Sequence, residues 1–148
     1  MGRVLIRFFT LALAVVPPVP GPVTQHFVAP TCQRCAGHRG ITIDNPDGVA
    51  AVSPVAGTVS FAGTVAHRWY VVVKPRPGVL VTVGHLASIG VSVGDVVGEG
   101  QQVGVAGAST YLGVRVQGVY VEPLGFLGFG RVRLVGGGAV VGLRAMPR

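Results

Sequence analysis

The chain has 148 residues and a formal net charge of +7, yet only 11% of its residues are charged and its mean hydropathy is +0.61. This apolar content can bury a core, which excludes an intrinsically disordered chain, and the length suits one domain with terminal extensions. No apolar run reaches the roughly 18–20 residues that typically span a bilayer, so the apolar residues predict a protein core.

The N-terminal segment has the pattern of an export signal. Arg3 and Arg7 give a charged start, residues 8–16 (FFTLALAVV) are apolar, and four prolines follow within residues 17–22. This predicts that residues 1–22 are a signal peptide or an uncleaved N-terminal anchor. Both alternatives predict an exported protein, secreted or associated with the cell envelope, that meets a membrane only through an uncleaved N-terminus.

Residues 23–37 predict a Pro-rich linker that ends in the run TCQRC. In an exported chain, Cys32 and Cys35 predict a short-loop disulfide. A redox motif would need a following helix, and a zinc half-site would need a second pair of ligands. The sequence offers neither.

Residues 38–128 alternate short β-prone runs with glycines, and no window has capped helical periodicity. Helix is therefore disfavoured after residue 23, and the pattern predicts an all-β fold, a small antiparallel β-sandwich or sheet. The predicted strand runs are 41–44, 50–54, 57–62, 69–73, 79–83, 103–106, 114–117 and 119–121.

The positive charge is concentrated at the chain ends. Four arginines lie in residues 129–148, which predict a basic C-terminal tail, whereas residues 26–128 carry six basic and five acidic residues. A near-neutral core without a basic, aromatic stripe predicts no nucleic-acid partner. Contact of the tail with anionic lipid, wall polymer or nucleic acid stays open as an alternative.

Four segments, in order, resemble the M23 (LytM-type) zinc metallopeptidase family. They are HRGITID at 38–44, VAAVSPVAGTVSFAG at 49–63, VTVGHLASIGVSVGDVVGEGQQVGVAG at 81–107 and GVRVQGVYVEPLGFLG at 113–128. The resemblance implies an antiparallel β-sheet core with a groove. It also implies one zinc held by three protein ligands, which leaves an open position for a water that cleaves peptidoglycan crosslinks.

Mapped onto this sequence, the resemblance implies a degenerate active site. His38 occupies the first ligand position, but Thr42 stands at the aspartate position and Tyr111 at the second histidine ligand. Of the two histidines that assist the water, His85 is retained and Ser109 replaces the other. We therefore expect no cofactor, or zinc if the protein is active.

Nearby side chains are candidates to replace the lost ligands. Asp44 follows Thr42 by two residues and would share its face of a strand, although displaced by about 6.6 Å. With Asn45 and Gly48 it fits a turn equally well. His26 and His67 are further candidates, and both fit surface positions.

Three functions remain open from the sequence. The first is a non-catalytic module of the cell envelope that binds peptidoglycan or regulates a cell-wall hydrolase. The second is an active zinc endopeptidase that cleaves peptidoglycan crosslinks with an atypical ligand set. The third is a lipoyl-like carrier domain, suggested by residues 90–104, but the single lysine, Lys74, lies outside any such motif.

Overall fold

The computed structural model describes residues 15–128. The start of the predicted signal segment (1–14) and the predicted basic tail (129–148) lie outside the described residues. Within residues 15–128, no helix is long and apolar enough to cross a membrane.

The described chain is almost entirely β-strand, as predicted. One helical segment, α1 (Pro123–Leu127), follows the strands. The strands are β1 (Val23–Gln25), β2 (Gly40–Asp44), β3 (Ala50–Val52), β4 (Gly57–Val65), β5 (Arg68–Arg76), β6 (Val79–Ile89), β7 (Val96–Val97), β8 (Gln102–Val116) and β9 (Val119–Val121).

All strand pairs are antiparallel and belong to one sheet with the order β1-β2-β8-β6-β5-β4-β7. Strands β3 and β9 also pair with β8, which is the longest strand and has four partners. Each consecutive pair from β4 to β6 is joined by a tight connection, which is typical of β-hairpins. Strand β8 is therefore the central strand, with which most of the sheet's other elements pair directly or through one neighbour.

Valine and isoleucine form the core on one face of the central strands. Alternation of side chains in a strand places every second residue on this face. In β2, β6 and β8 these residues are fully or almost fully buried: Ile41, Ile43, Val81, Val83, Leu112 and Val114. The opposite face of the same strands is half-buried, and it carries the candidate site.

Three features differ from the sequence prediction. The predicted runs 103–106 and 114–117 belong to one strand, β8, because the small and polar residues between them continue the ladder. Strand β6 extends six residues beyond the predicted run. The segment predicted as a linker contains β1, which pairs with β2.

The prediction that disfavoured helix missed α1. Glu122 caps this helix because its carboxylate accepts hydrogen bonds from the backbone amides of Leu124 (2.9 Å) and Gly125 (2.6 Å). Pro123 occupies the first turn, where its missing N–H costs nothing. A five-residue helix of this kind depends on its cap and on burial of Leu127, so it leaves no periodic pattern.

Candidate functional site

Strand register places the predicted site residues in a row across the half-buried face, which we call the site face. Thr42 of β2 pairs with Tyr111 of β8, and Tyr111 also pairs with Gly84 of β6. Gly84 in turn pairs with Tyr70 of β5. Residues directly opposite in an antiparallel pair point to the same side, so the four positions form one continuous row.

His38 lies at the end of this row, just before β2, and both of its ring nitrogens have partners. Nδ1 donates to the backbone carbonyl of His26 at 3.1 Å. Nε2 lies 3.4 Å from the Thr42 hydroxyl, which in turn is 3.1 Å from Oε1 of Gln25. The ring is therefore oriented by a carbonyl, the arrangement that commonly orients a metal-ligating histidine, but its second nitrogen faces a hydroxyl.

Glycines form the floor beneath the two tyrosines. A Cβ on Gly84 would collide with the Tyr70 ring, and one on Gly113 would approach the Tyr111 hydroxyl to 2.6 Å. A Cβ on Gly40 would likewise meet the Tyr111 ring at 2.6 Å. Both rings thus lie flat against backbone that only glycine leaves open.

Four aromatic side chains converge above this floor, and we call His38, Tyr70, His85 and Tyr111 the ring cluster. The Tyr111 ring centroid is 6.1 Å from His38, 5.7 Å from His85 and 6.4 Å from Tyr70. Tyr70 and His85 meet edge to face at 5.8 Å. These separations lie within the range in which aromatic pairs attract, so Tyr111 is the centre of a packed cluster.

His85 reaches the cluster through an irregularity in β6. The β6–β8 register shifts between Gly84 and Leu86, and His85 itself has φ 62°. Its Nδ1 atom is buried and has no hydrogen-bond partner among the described residues. Burial lowers the pKa of His85, and the positive charges of Arg68 and of His38 lower it further, so the neutral ring is favoured.

Tyr111 is held in its neutral form. Burial raises the pKa of the Tyr111 phenol to about 12, and Tyr120 and Tyr70 add to the effect, whereas Arg39 opposes it. A metal-bound tyrosine is a phenolate, and burial of Tyr111 favours the phenol as long as no metal is bound.

The ring cluster does not fit the zinc that the family resemblance implies. Of the three ligand positions, only His38 carries a good zinc donor, because Thr42 offers a neutral hydroxyl and Tyr111 a protonated phenol. Within residues 15–128, no three histidine, cysteine, aspartate or glutamate side chains are grouped so that they could hold a metal ion.

The remaining candidate ligands do not join the cluster. Asp44 pairs with Ser109 one step further along the site face, and its side chain is exposed. His67 lies in the two-residue turn of the β4–β5 hairpin, with φ 65°. His26 is exposed and contributes its carbonyl to the orientation of His38.

The predicted pair of cysteines forms a disulfide in the structure, between Cys32 and Cys35. The loop that it closes holds Arg39, whose guanidinium donates to the carbonyls of Gln33 (2.8 Å) and Cys35 (3.4 Å). The disulfide loop is thus connected to the site face through one arginine.

Tyr70 and Arg68 are the two site residues that sequence reasoning missed. The run WYVVV predicted a strand, and the alternation within it places Tyr70 on the face opposite Val71 and Val73. No local sequence signal identifies Tyr70, because its place in the cluster depends on its pairing with Gly84, which directly precedes His85.

Comparison with known proteins gives one consistent result. The sequence model of peptidase family M23 matches residues 36–123. A search of curated protein sequences finds no match.

Solved structures with a similar fold include peptidases and a protein complex. Csd3 of Helicobacter pylori aligns with a TM-score of 0.71 at 21% identity over 90% of this chain and 40% of its own. A putative M23 peptidase of Pseudomonas aeruginosa aligns at 0.64 and 25% identity over 78% of this chain and 51% of its own. A chain of the SpoIIIAH–SpoIIQ complex aligns at 0.63 and 21% identity over 76% of this chain and 99% of its own.

Proposed function

The chain belongs to peptidase family M23, and we propose that it is a non-hydrolytic member that binds cell-envelope material through its site face. The material is peptidoglycan, or a cell-wall hydrolase that the domain regulates. The proposal combines the family fold with a site in which the metal-ligand positions have become an aromatic surface.

The observation that carries the proposal is the contact between His38 and its two neighbours. Nε2, the atom that remains for a metal once Nδ1 has donated to a carbonyl, lies 3.4 Å from the Thr42 hydroxyl. The Tyr111 ring then packs edge-on to His38 at 6.1 Å. A metal would have to displace a hydroxyl and a packed ring to find one good ligand, and a tight site needs three.

Binding of a ligand, in contrast, needs no metal and can use the aromatic side chains of the site face. Aromatic side chains give a large contact area at low entropic cost, and Tyr and Trp are enriched at binding surfaces. Tyr70 and Tyr111 are both half-buried, so each leaves part of its ring accessible.

The proposed location is the cell envelope. It rests on the charged, apolar and Pro-rich order of residues 1–22 and on the disulfide between Cys32 and Cys35, which persists in oxidising compartments. Envelope material is then the partner that the domain encounters. One similar fold is found in a complex between two proteins, so a protein partner is tested in the same way as the wall polymer.

The test separates binding from hydrolysis. The full chain is incubated with purified, dye-labelled peptidoglycan sacculi, with and without added zinc, and both the bound protein and the released dye are measured. We expect the protein to sediment with the sacculi and to release no dye above the buffer control. A double variant, Tyr70→Ala with Tyr111→Ala, should lose binding, whereas Val96→Ala, an exposed site on β7, should keep it.

Two outcomes would contradict the proposal. Zinc-dependent release of dye that His38→Ala abolishes would establish the active endopeptidase. Failure to bind sacculi, together with failure to retain any wall hydrolase when the immobilised chain is challenged with a panel of them, would leave no envelope ligand for the site face.

A further inference from the structure

A recess lies on the site face, directly beside the ring cluster. It has a volume of about 180 Å³, and its lining residues are Val72, Leu80, Thr82, Gly113, Arg115 and Tyr120. The next two rows of the sheet build it, since Gly113 pairs with Thr82 and Arg115 pairs with both Leu80 and Tyr120. The Tyr111 hydroxyl lies over Gly113, so it forms the wall between the recess and the ring cluster.

Two guanidinium groups lie close to one ring at this recess. Arg115 lies 5.7 Å from the centroid of the Tyr120 ring, and Arg39 lies 5.9 Å from the same centroid. We call Arg39, Arg115, Tyr120 and the cavity that Arg115 and Tyr120 line the arginine recess. Positive charge stacked on an aromatic face keeps its N–H groups free at the edge, where they can bind an anion.

Of the acidic residues nearest in the sequence, one has its carboxylate bound elsewhere and the other lies further along the site face. The carboxylate of Glu122, two residues after Tyr120, accepts two backbone amides of α1. Asp44 is paired with Ser109, on the far side of the Thr42–Tyr111 row from the recess. The residues that line the cavity include no carboxylate. The recess therefore has positive charge without an internal counterion.

Arg39 is held in place before any ligand arrives. Its guanidinium donates to two carbonyls of the disulfide loop, Gln33 and Cys35, and its remaining N–H groups are directed by the same contacts. Binding groups that are already fixed lose less conformational entropy when a ligand binds. The disulfide loop thus supplies a preorganised cation to a site on the sheet.

The chemistry of the recess points to a carboxylate on a peptide. A guanidinium matches a carboxylate with two parallel N–H···O bonds, Thr82 adds a hydroxyl, and Val72 with Leu80 provides an apolar wall for aliphatic carbons. A phosphodiester polymer would instead need cations along an extended track, and the core around the recess is near neutral.

We propose that the arginine recess is a subsite that binds the carboxylate of an acidic peptide lying along the site face. This inference rests on the proposed binding function and names its ligand class. The peptide backbone would extend from the ring cluster over the Tyr111 hydroxyl into the recess, with its acidic side chain or free C-terminus beside Arg115 and within reach of Arg39.

The test uses a matched pair of probes on the full chain. One is a short synthetic peptide of alanine and glutamate with free carboxylates, and the other is the same peptide with every carboxyl group amidated. We expect the free peptide to bind about tenfold more tightly or better, because a hydrogen bond to a charged group contributes more than one to a neutral group. Arg115→Gln should remove this preference, whereas Arg34→Gln, an exposed arginine in the disulfide loop, should keep it.

The possible outcomes also separate this inference from the proposed function. Equal affinity for the two peptides would overturn the carboxylate subsite, as would tighter binding of a polyphosphate of similar length. The proposed function would survive either result if the chain still sediments with sacculi. Because the comparison of the two peptides uses the wild-type chain, it stays decisive even if Arg115→Gln does not fold.

Discussion

The two faces of strands β2, β6 and β8 carry different kinds of side chain. On the core face, Ile41, Val83 and Leu112 are fully buried and pack as branched aliphatic side chains. On the site face, the residues next to them are Thr42, Gly84 and Tyr111, where a ring rests on glycine. The core face determines the fold, so the site face can lose its metal ligands while the family architecture stays intact.

The largest expected effect is the difference in unfolding free energy between substitutions at two neighbouring residues that lie on opposite faces. Leu112→Ala empties a fully buried position and should cost about 2–5 kcal/mol of unfolding free energy. Tyr111→Phe, one residue away on the other face, should change it far less because the ring stays in place. Urea unfolding monitored by circular dichroism measures both. Similar losses for the two variants would contradict the separation of the faces.

A smaller loss of unfolding free energy is expected when alanine replaces a glycine beneath the tyrosine rings. Gly84→Ala places a Cβ against the Tyr70 ring, which must move, and should cost roughly 1–3 kcal/mol as overpacking does. Gly90→Ala is the matched control, because a Cβ there meets no atom within 4 Å. Near-ultraviolet circular dichroism should change for Gly84→Ala alone. An unchanged spectrum would show that the rings do not rest on Gly84.

The raised pKa of Tyr111 predicts a pH dependence confined to alkaline solution. Because the pKa rises from 10.0 to about 12 on folding, the neutral phenol stabilises the fold fully below pH 10. This contribution is lost as the pH rises through 12. Tyr111→Phe should remove this alkaline loss of unfolding free energy. In a spectrophotometric titration of the tyrosines, the variant should lack the ionisation step at the highest pH. A wild-type chain whose tyrosines all titrate near pH 10 would contradict the burial of the phenol.

The smallest effect concerns His85, whose lowered pKa acts in acid. A base with a lowered folded pKa stabilises the fold above its unfolded value of 6.5 and loses that contribution as the pH falls through the folded pKa. Proton NMR titration should place the His85 midpoint below 6.5. Arg68→Gln should move the midpoint upward, whereas Arg34→Gln should leave it unchanged. A higher His85 midpoint in both variants would show that the net charge of the protein, rather than Arg68, lowers the pKa.

The same contrast explains what the sequence could predict. Short β-prone runs separated by glycine predicted seven of the nine strands, and in the central strands burial of one face leaves a period of two. The site face breaks that period with Gly107, Ser109 and Gly113, so β8 was divided into two predicted strands. At one of these breaks, Gly113, the missing side chain makes room for the Tyr111 ring.

The ring cluster itself was only partly predictable. Thr42, Tyr111 and His85 followed from their positions in the family motif, whereas Tyr70 required the β5–β6 register, which no local pattern encodes. The left-handed backbone of His85 also depends on the shifted register between Gly84 and Leu86. Contacts across the sheet, rather than composition, determined these parts of the site.

Zinc binding by the wild-type chain and by a variant with restored ligands tests the central claim most directly. Isothermal titration of zinc into the full chain is compared with Thr42→Asp combined with Tyr111→His, which returns the family donor set around His38. We predict no stoichiometric binding to the wild type and about one zinc per chain for the double variant, since three good donors suffice for a tight site. One tightly bound zinc in the wild-type chain, lost on His38→Ala, would contradict the account.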